Sequence, residues 1–185
     1  MNPSKKSSWR NPELAEVILI SGPEAYSVGE AIRGIKQKIR NRHAHFEISE
    51  IDASEYVSGQ LLNLASPSLF SEPRLIVVTN CDRCTDAFIE DGKTYLNSPA
   101  SETTVVIHHS GSSVRGKALL EAIKASAIAS EILCPKITRD NERAAFVKQF
   151  FTDASRTITD GAVRALTQAF SQDLPELAAA SLQLL

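Results

Sequence analysis

Three short stretches, VILI at 17–20, LIVV at 75–78 and TVVI at 104–107, are apolar on successive residues, with Thr104 the one polar exception. A strand with one face in water alternates apolar and polar side chains, so an unbroken run marks a strand covered on both faces. Helical patterns separate the runs. Ala25, Val28, Ile32, Ile35 and Ile39 recur at three and four residues, the period of an amphipathic helix. Its other face carries Arg33, Lys36, Lys38, Arg40 and Arg42, a charge run that reads as a solvated surface. Strands separated by helices need crossover connections, and crossovers make neighbouring strands parallel. The expected fold is a parallel α/β sandwich of five strands: EVILIS (16–21), FEISEID (46–52), RLIVVTN (74–80), TTVVIHH (103–109) and SEILCP (130–135). Helices are expected at SGQLLNLA (58–65), DAFIEDGKTYL (86–96) and KALLEAIKASA (117–127).

After Pro135 the strand pattern stops and three helical segments follow, at 138–154, 159–170 and 173–185, with Thr138 or Asp140 and Thr159 as expected N-caps. Residues 1–13 are polar with two prolines and read as a flexible tail. The expected division is therefore a tail (1–13), an α/β domain (14–137) and a small all-helical domain (138–185). The last helix ends on an uncapped apolar LQLL, which suggests that a longer protein continues beyond it.

The 185 residues are 43% hydrophobic and carry a formal net charge of -2, a balance that favours protein partners over direct contact with DNA. No run approaches a membrane span and no apolar segment follows the N-terminal charges, so the expected location is the cytoplasm, without a membrane partner. Cys81, Cys84 and Cys134 are an odd count in such a chain and read as partly buried free thiols. A zinc or redox role for CDRC (81–84) would need ligands that the neighbouring sequence does not supply: His108 and His109 are adjacent on a strand and point to opposite faces.

Two turns carry a phosphate-loop pattern. In a working loop G-x-x-x-x-G-K-[ST], backbone amides close on the phosphates, the Lys neutralises them and the final hydroxyl ligates magnesium. In the turn after the first strand, counting from Gly22 puts Ser27 at the second glycine, Val28 at the lysine and Gly29 at the hydroxyl, so the charge and the metal ligand are both missing. The acidic partner is also out of place, because Thr79, Asn80 and Cys81 follow RLIVV and Asp82 comes two residues late. The second turn, Gly111 to Lys117, keeps both glycines and the lysine but has Ala118 where the hydroxyl belongs, and it follows the fourth strand. A nucleotide-binding P-loop enzyme built on Gly111 to Lys117 is the alternative reading; a glycine-bearing turn with exposed Arg115 and Lys117 is the simpler one.

The ordered set SGPEAY, DASEY, LLNLASPSLFSEPRLIVV, CTDAFIEDGKTYL, TTVVIHH, VRGKALLEAIKAS, CPKITRDNERAAFV, ITDGAVRAL and DLPELAAASLQLL resembles the delta subunits of bacterial DNA polymerase III clamp loaders, from about residue 14 to 185. The resemblance implies an AAA+ fold: a P-loop, RecA-like domain without working Walker motifs, then a helical lid, with the family's helical collar domain not represented. It implies a non-catalytic subunit of the polymerase holoenzyme, nominally grouped with its nucleotidyltransferase activity. Such a subunit takes no cofactor, binds the sliding clamp (beta subunit), helps to open it during DNA replication, and meets DNA only through the complex with other loader subunits. It also implies that Leu69 and Phe70 insert into the clamp, with Ser68 as a supporting contact. Between Pro67 and Pro73 the pair is expected in a loop.

Overall fold

The computed structural model describes residues 4–66, 72–171 and 173–185. They fall into two compact units divided between Pro135 and Lys136. In the first unit the order is β1 (Lys5–Ser7), β2 (Val17–Ser21), α1 (Ala25–Arg42), β3 (Glu47–Asp52), α2 (Gln60–Leu64), β4 (Arg74–Thr79), α3 (Asp86–Asn97), β5 (Thr103–His109), α4 (Lys117–Ala125) and β6 (Ala129–Leu133). The sheet runs β1-β6-β2-β5-β4-β3, and every pairing is parallel.

The unbroken apolar runs divide by alternate residue, as the two-residue strand period requires. Val17, Leu19, Ile76, Val78, Val105 and Ile107 face one core, where Leu61 of α2, Phe88 and Tyr95 of α3, and Leu119 and Ile123 of α4 meet them. Ile18, Ile20, Leu75, Val77 and Val106 face the other, covered by Val28, Ala31, Ile35 and Ile39 of α1. Full burial of each such side chain stabilises the fold by about 1.5–3 kcal/mol before conformational entropy is counted.

Six strands stand where the sequence suggests five, and the extra one comes from the stretch expected to be a flexible tail. Lys5, Lys6 and Ser7 pair with Ser130, Glu131 and Ile132 at the sheet edge. Ser7 Oγ lies 3.2 Å from Ser130 Oγ, and the Ser4 amide donates to the Lys124 carbonyl at 2.9 Å. Backbone pairing needs no apolar side chain, so a short edge strand with two exposed lysines has no hydrophobic signature; charges on an edge also discourage edge-to-edge association.

The second unit contains α5 (Asp140–Asp153), α6 (Asp160–Ala169) and α7 (Leu174–Gln183). Phe146, Val147 and Phe151 of α5, Val163 of α6, and Leu177 and Ala178 of α7 are its buried apolar residues. Thr159 caps α6, its Oγ1 accepting from the Ala162 amide at 3.3 Å. The N-cap of α5 is Arg139, between the two residues expected from the sequence. The reason is Glu142 in the first turn, whose carboxylate accepts from the amides of Thr138 and Arg139 at 2.9 and 3.0 Å and so performs the cap from inside the helix. Those two bonds hold the Glu142 carboxyl below its ordinary range, and the Lys148 ammonium does the same for Asp160.

A pH dependence follows. Between their folded-state pKa values and the ordinary 4.5 and 3.8, these two groups bind fewer protons folded than unfolded, so their stabilisation is full above that window and is lost as pH falls through the folded values. Amide exchange in α5 and α6, corrected for the intrinsic rate, is expected to accelerate between about pH 5 and pH 3. Glu142→Gln should flatten that profile; an unchanged profile would remove Glu142 from the cap.

Candidate functional site

In parallel α/β sheets, ligand sites form at the carboxyl ends of the strands, where both phosphate-loop patterns fall. The first leaves no loop. β2 ends at Ser21 and α1 begins at Ala25, so only Gly22, Pro23 and Glu24 connect them. Ser27 and Val28, counted as the second glycine and the lysine, are inside α1 and buried, Val28 within the apolar core beneath that helix. Gly29 lies on the exposed side of α1. Gly22 is held by packing: its φ is +132°, and a Cβ there would stand 2.1 Å from the Cys134 carbonyl oxygen. Its amide donates to the His109 carbonyl at 3.0 Å, and its own carbonyl lies 3.1 Å from His108 Nε2. A helix N-terminus attracts anions through its free amides, yet here the buried Glu24 already puts a carboxyl group at the start of α1.

The second turn, between β5 and α4, has the glycine geometry of a loop, with Gly111 and Gly116 at φ of +83° and +72°. Many of its donors, however, are used inside the protein. Asp82, in the single 3-10 turn after β4, accepts from the Ser110 amide at 3.1 Å, from Ser110 Oγ at 2.8 Å and from Ser112 Oγ at 3.3 Å. The Gly111 amide donates to His109 Nδ1 at 2.9 Å, and His109 Nε2 donates to the Arg115 carbonyl at 3.1 Å, a pair of bonds that the Nε2–H tautomer satisfies. The Ser112 and Arg115 amides donate to the hydroxyls of Ser110 and Ser113. Arg115 itself turns away, from Nε to the Cys84 carbonyl and from Nη2 to Asp86, each at 2.7 Å. Burial raises the Asp82 carboxyl, but the Ser110 and Ser112 bonds outweigh it and hold the group below the ordinary carboxylate range.

Asp82 therefore serves the second turn. It occupies the Ser110 amide and the Ser110 and Ser112 hydroxyls, so an anion bound in this turn would meet a carboxylate. Lys117 points along its own helix, 3.8 Å from Glu121, with both side chains well exposed. Labelled ATP with magnesium is expected not to bind at micromolar concentration, and Lys117→Ala should change nothing in that assay. Saturable binding abolished by Lys117→Ala would establish a nucleotide site at Gly111–Lys117.

The thiols are more deeply placed than the sequence suggests: Cys81, Cys84 and Cys134 are all buried. Burial pushes the pKa of Cys81 and Cys84 up and that of Cys134 to about 12. A thiolate nucleophile or metal ligand would need the opposite shift. Among the described residues no three metal-ligating side chains group together, and no helix is long and apolar enough to cross a membrane.

Ser68, Leu69 and Phe70 lie outside the described residues. On either side of them the chain is anchored: Arg74, opening β4, donates from Nη1 to the Leu64 carbonyl at 2.9 Å and to the Ser66 carbonyl, and its Nε lies 3.0 Å from Glu47. A cleft of about 710 Å³ opens at this amino-terminal end of the sheet, lined in part by Arg42, His43, Pro73, Arg74 and Glu102, away from both phosphate-pattern turns.

No protein-family model and no curated protein matches the chain. Solved structures do. The DNA clamp loader delta protein (YqeN) of Bacillus subtilis aligns at 20% identity with a TM-score of 0.72, over 93% of this chain and 53% of that one. Domain III of the replication initiation protein DnaA of Thermotoga maritima aligns at 10% identity with a TM-score of 0.51, over 93% of this chain and 76% of that one. This chain spans about half the length of the clamp-loader structure. The likeness shows the fold, a parallel-sheet α/β domain followed by a helical unit.

Proposed function

We propose that this chain is a non-catalytic clamp-loader subunit of the delta type, which binds the sliding clamp of a bacterial DNA polymerase III holoenzyme and helps to open it during replication. The observation that carries the reading is the likeness in fold to the B. subtilis DNA clamp loader delta protein across 93% of this chain. The two turns support the non-catalytic part. One has given its loop positions to α1, and the other has its amides tied to Asp82 and His109. In this role Leu69 and Phe70 are the clamp anchors and Ser68 supports them, the other loader subunits are partners, no cofactor is required, and the place of action is the cytoplasmic replisome. Gel filtration of the chain mixed with purified bacterial sliding clamp is the test. Co-elution as a complex is expected, and separate peaks at tens of micromolar would remove clamp binding from the account.

A further inference from the structure

α1 carries a surplus of positive charge. The helix holds five cations, Arg33, Lys36, Lys38, Arg40 and Arg42, against one acid, Glu30, in a chain whose net charge is -2. Glu30 pairs with Arg33. Lys36, Lys38, Arg40 and Arg42 have no ion-pair partner among the described residues. On the other helices several cations are matched with nearby acids, Lys93 with Glu90, Lys124 with Glu131, Arg143 with Asp140 and Lys148 with Asp160, although Lys5, Lys6, Arg83, Arg139, Arg156 and Arg164 have no ion pair among the described residues. In α1 the neighbours at three and four residues are instead of like sign, Arg33 with Lys36, Lys36 with Arg40, Lys38 with Arg42, and each such pair destabilises an isolated helix. An ordinary solvated helix face mixes both signs.

We propose that this face of α1 binds the phosphate backbone of a nucleic-acid strand. Arg33, Lys36 and Arg40 fall at i, i+3 and i+7, one ridge of the helix, and at a rise of about 1.5 Å per residue they span about 10 Å. One strand of duplex DNA carries about three phosphates in that axial length. The row is extended at its N-terminal end. Trp9 packs edge-on against Tyr26 of α1, with centroids 6.0 Å apart, and the Arg10 guanidinium lies 4.3 Å from the centre of the Trp9 ring. Tyr26 and Arg33 are seven residues apart on α1, two helical turns, so the Trp9–Arg10 pair stands on the side of the helix that carries Arg33. Screening over about 8–10 Å keeps acids on the far side of the sheet from cancelling this local field, so a near-neutral chain can still present a cationic ridge. The proposal does not depend on the clamp-binding reading.

The experiment is fluorescence anisotropy of the full chain with a labelled 20-nucleotide single strand and, separately, the 20-base-pair duplex. Micromolar binding is expected at 50 mM salt. By 200 mM salt it should weaken about 40-fold for the duplex and about 20-fold for the single strand, the fall expected for three neutralised phosphates. The variant Arg33→Gln, Lys36→Gln, Arg40→Gln changes side chains outside the core; its circular dichroism should match wild type, its affinity at 50 mM salt should drop at least about tenfold, and its salt dependence should flatten. Lys93→Gln, on α3, should bind as wild type does. Clamp co-elution should be the same for the triple variant and wild type. Absence of binding to either DNA, or equal binding by the triple variant, overturns the proposal. So does a triple variant that loses the clamp while wild type ignores DNA, which would assign the face to an acidic protein surface.

Discussion

Gly22→Ala is expected to destabilise the α/β unit by at least about 4 kcal/mol, a large share of the 5–15 kcal/mol that holds a typical domain together. Two independent costs act at this residue. A φ of +132° belongs to a region that residues with a Cβ rarely enter, and the added carbon would lie 2.1 Å from the oxygen and 2.4 Å from the carbon of the Cys134 carbonyl. Both clashing atoms are backbone, so no rotamer change relieves them. The backbone cannot retreat without losing further bonds, because the Cys134 amide donates to the Ser21 carbonyl at 2.7 Å and its carbonyl accepts from the Glu24 amide at 3.1 Å. Gly29→Ala supplies the contrast. It sits inside α1 with nothing within 4 Å of the new carbon, and alanine there should stabilise the helix by about 0.5–1 kcal/mol. Urea unfolding followed by circular dichroism separates the two: a Gly22→Ala midpoint equal to wild type would mean that the β2–α1 turn is not packed against Cys134.

Replacing Leu69 and Phe70 together with alanine is expected to cost about 3–6 kcal/mol of clamp binding, which is a loss of at least about a hundredfold in affinity. The expectation comes from the resemblance of LASPSLFSEP to the clamp-binding segment of the delta subunits, joined to the chemistry of the pair. Large apolar side chains that fill a partner's pocket are the usual hot spots of an interface. Calorimetric titration of the double variant into purified clamp reads the affinity, and a thermal melt reads the fold. Wild-type affinity would remove the pair from the interface; a collapsed melt would place it in the core instead.

The central strands were legible because burial on both faces leaves a pattern that no other element shares. VILI, LIVV and TVVI became β2, β4 and β5 within a residue or so, and the three-and-four spacing from Ala25 to Ile39 became α1. β1 was not legible: its stabilisation is backbone pairing with β6, and Lys-Lys-Ser has no periodic apolar signal. Counting along G-x-x-x-x-G-K showed which phosphate-loop residues are missing, yet it could not show that α1 starts at Ala25 and takes over the positions of Ser27 and Val28. Nor could spacing assign Asp82 to the turn at Ser110, since 28 residues and a whole helix separate them in the chain. A carboxylate two residues late for one turn was the available hint. The assignment of Ser68, Leu69 and Phe70 to clamp binding is a proposal that rests on the family resemblance, and these residues lie outside the described ones.

The measurement that bears most directly on the proposed role is isothermal titration of the intact chain into purified bacterial sliding clamp, without nucleotide and again with ATP and magnesium. The account predicts saturable binding with a Kd of about 1 μM or tighter, the same in both arms, because no step of the interaction uses a nucleotide. Absence of heat at tens of micromolar, or an affinity that changes when ATP is added, would contradict it.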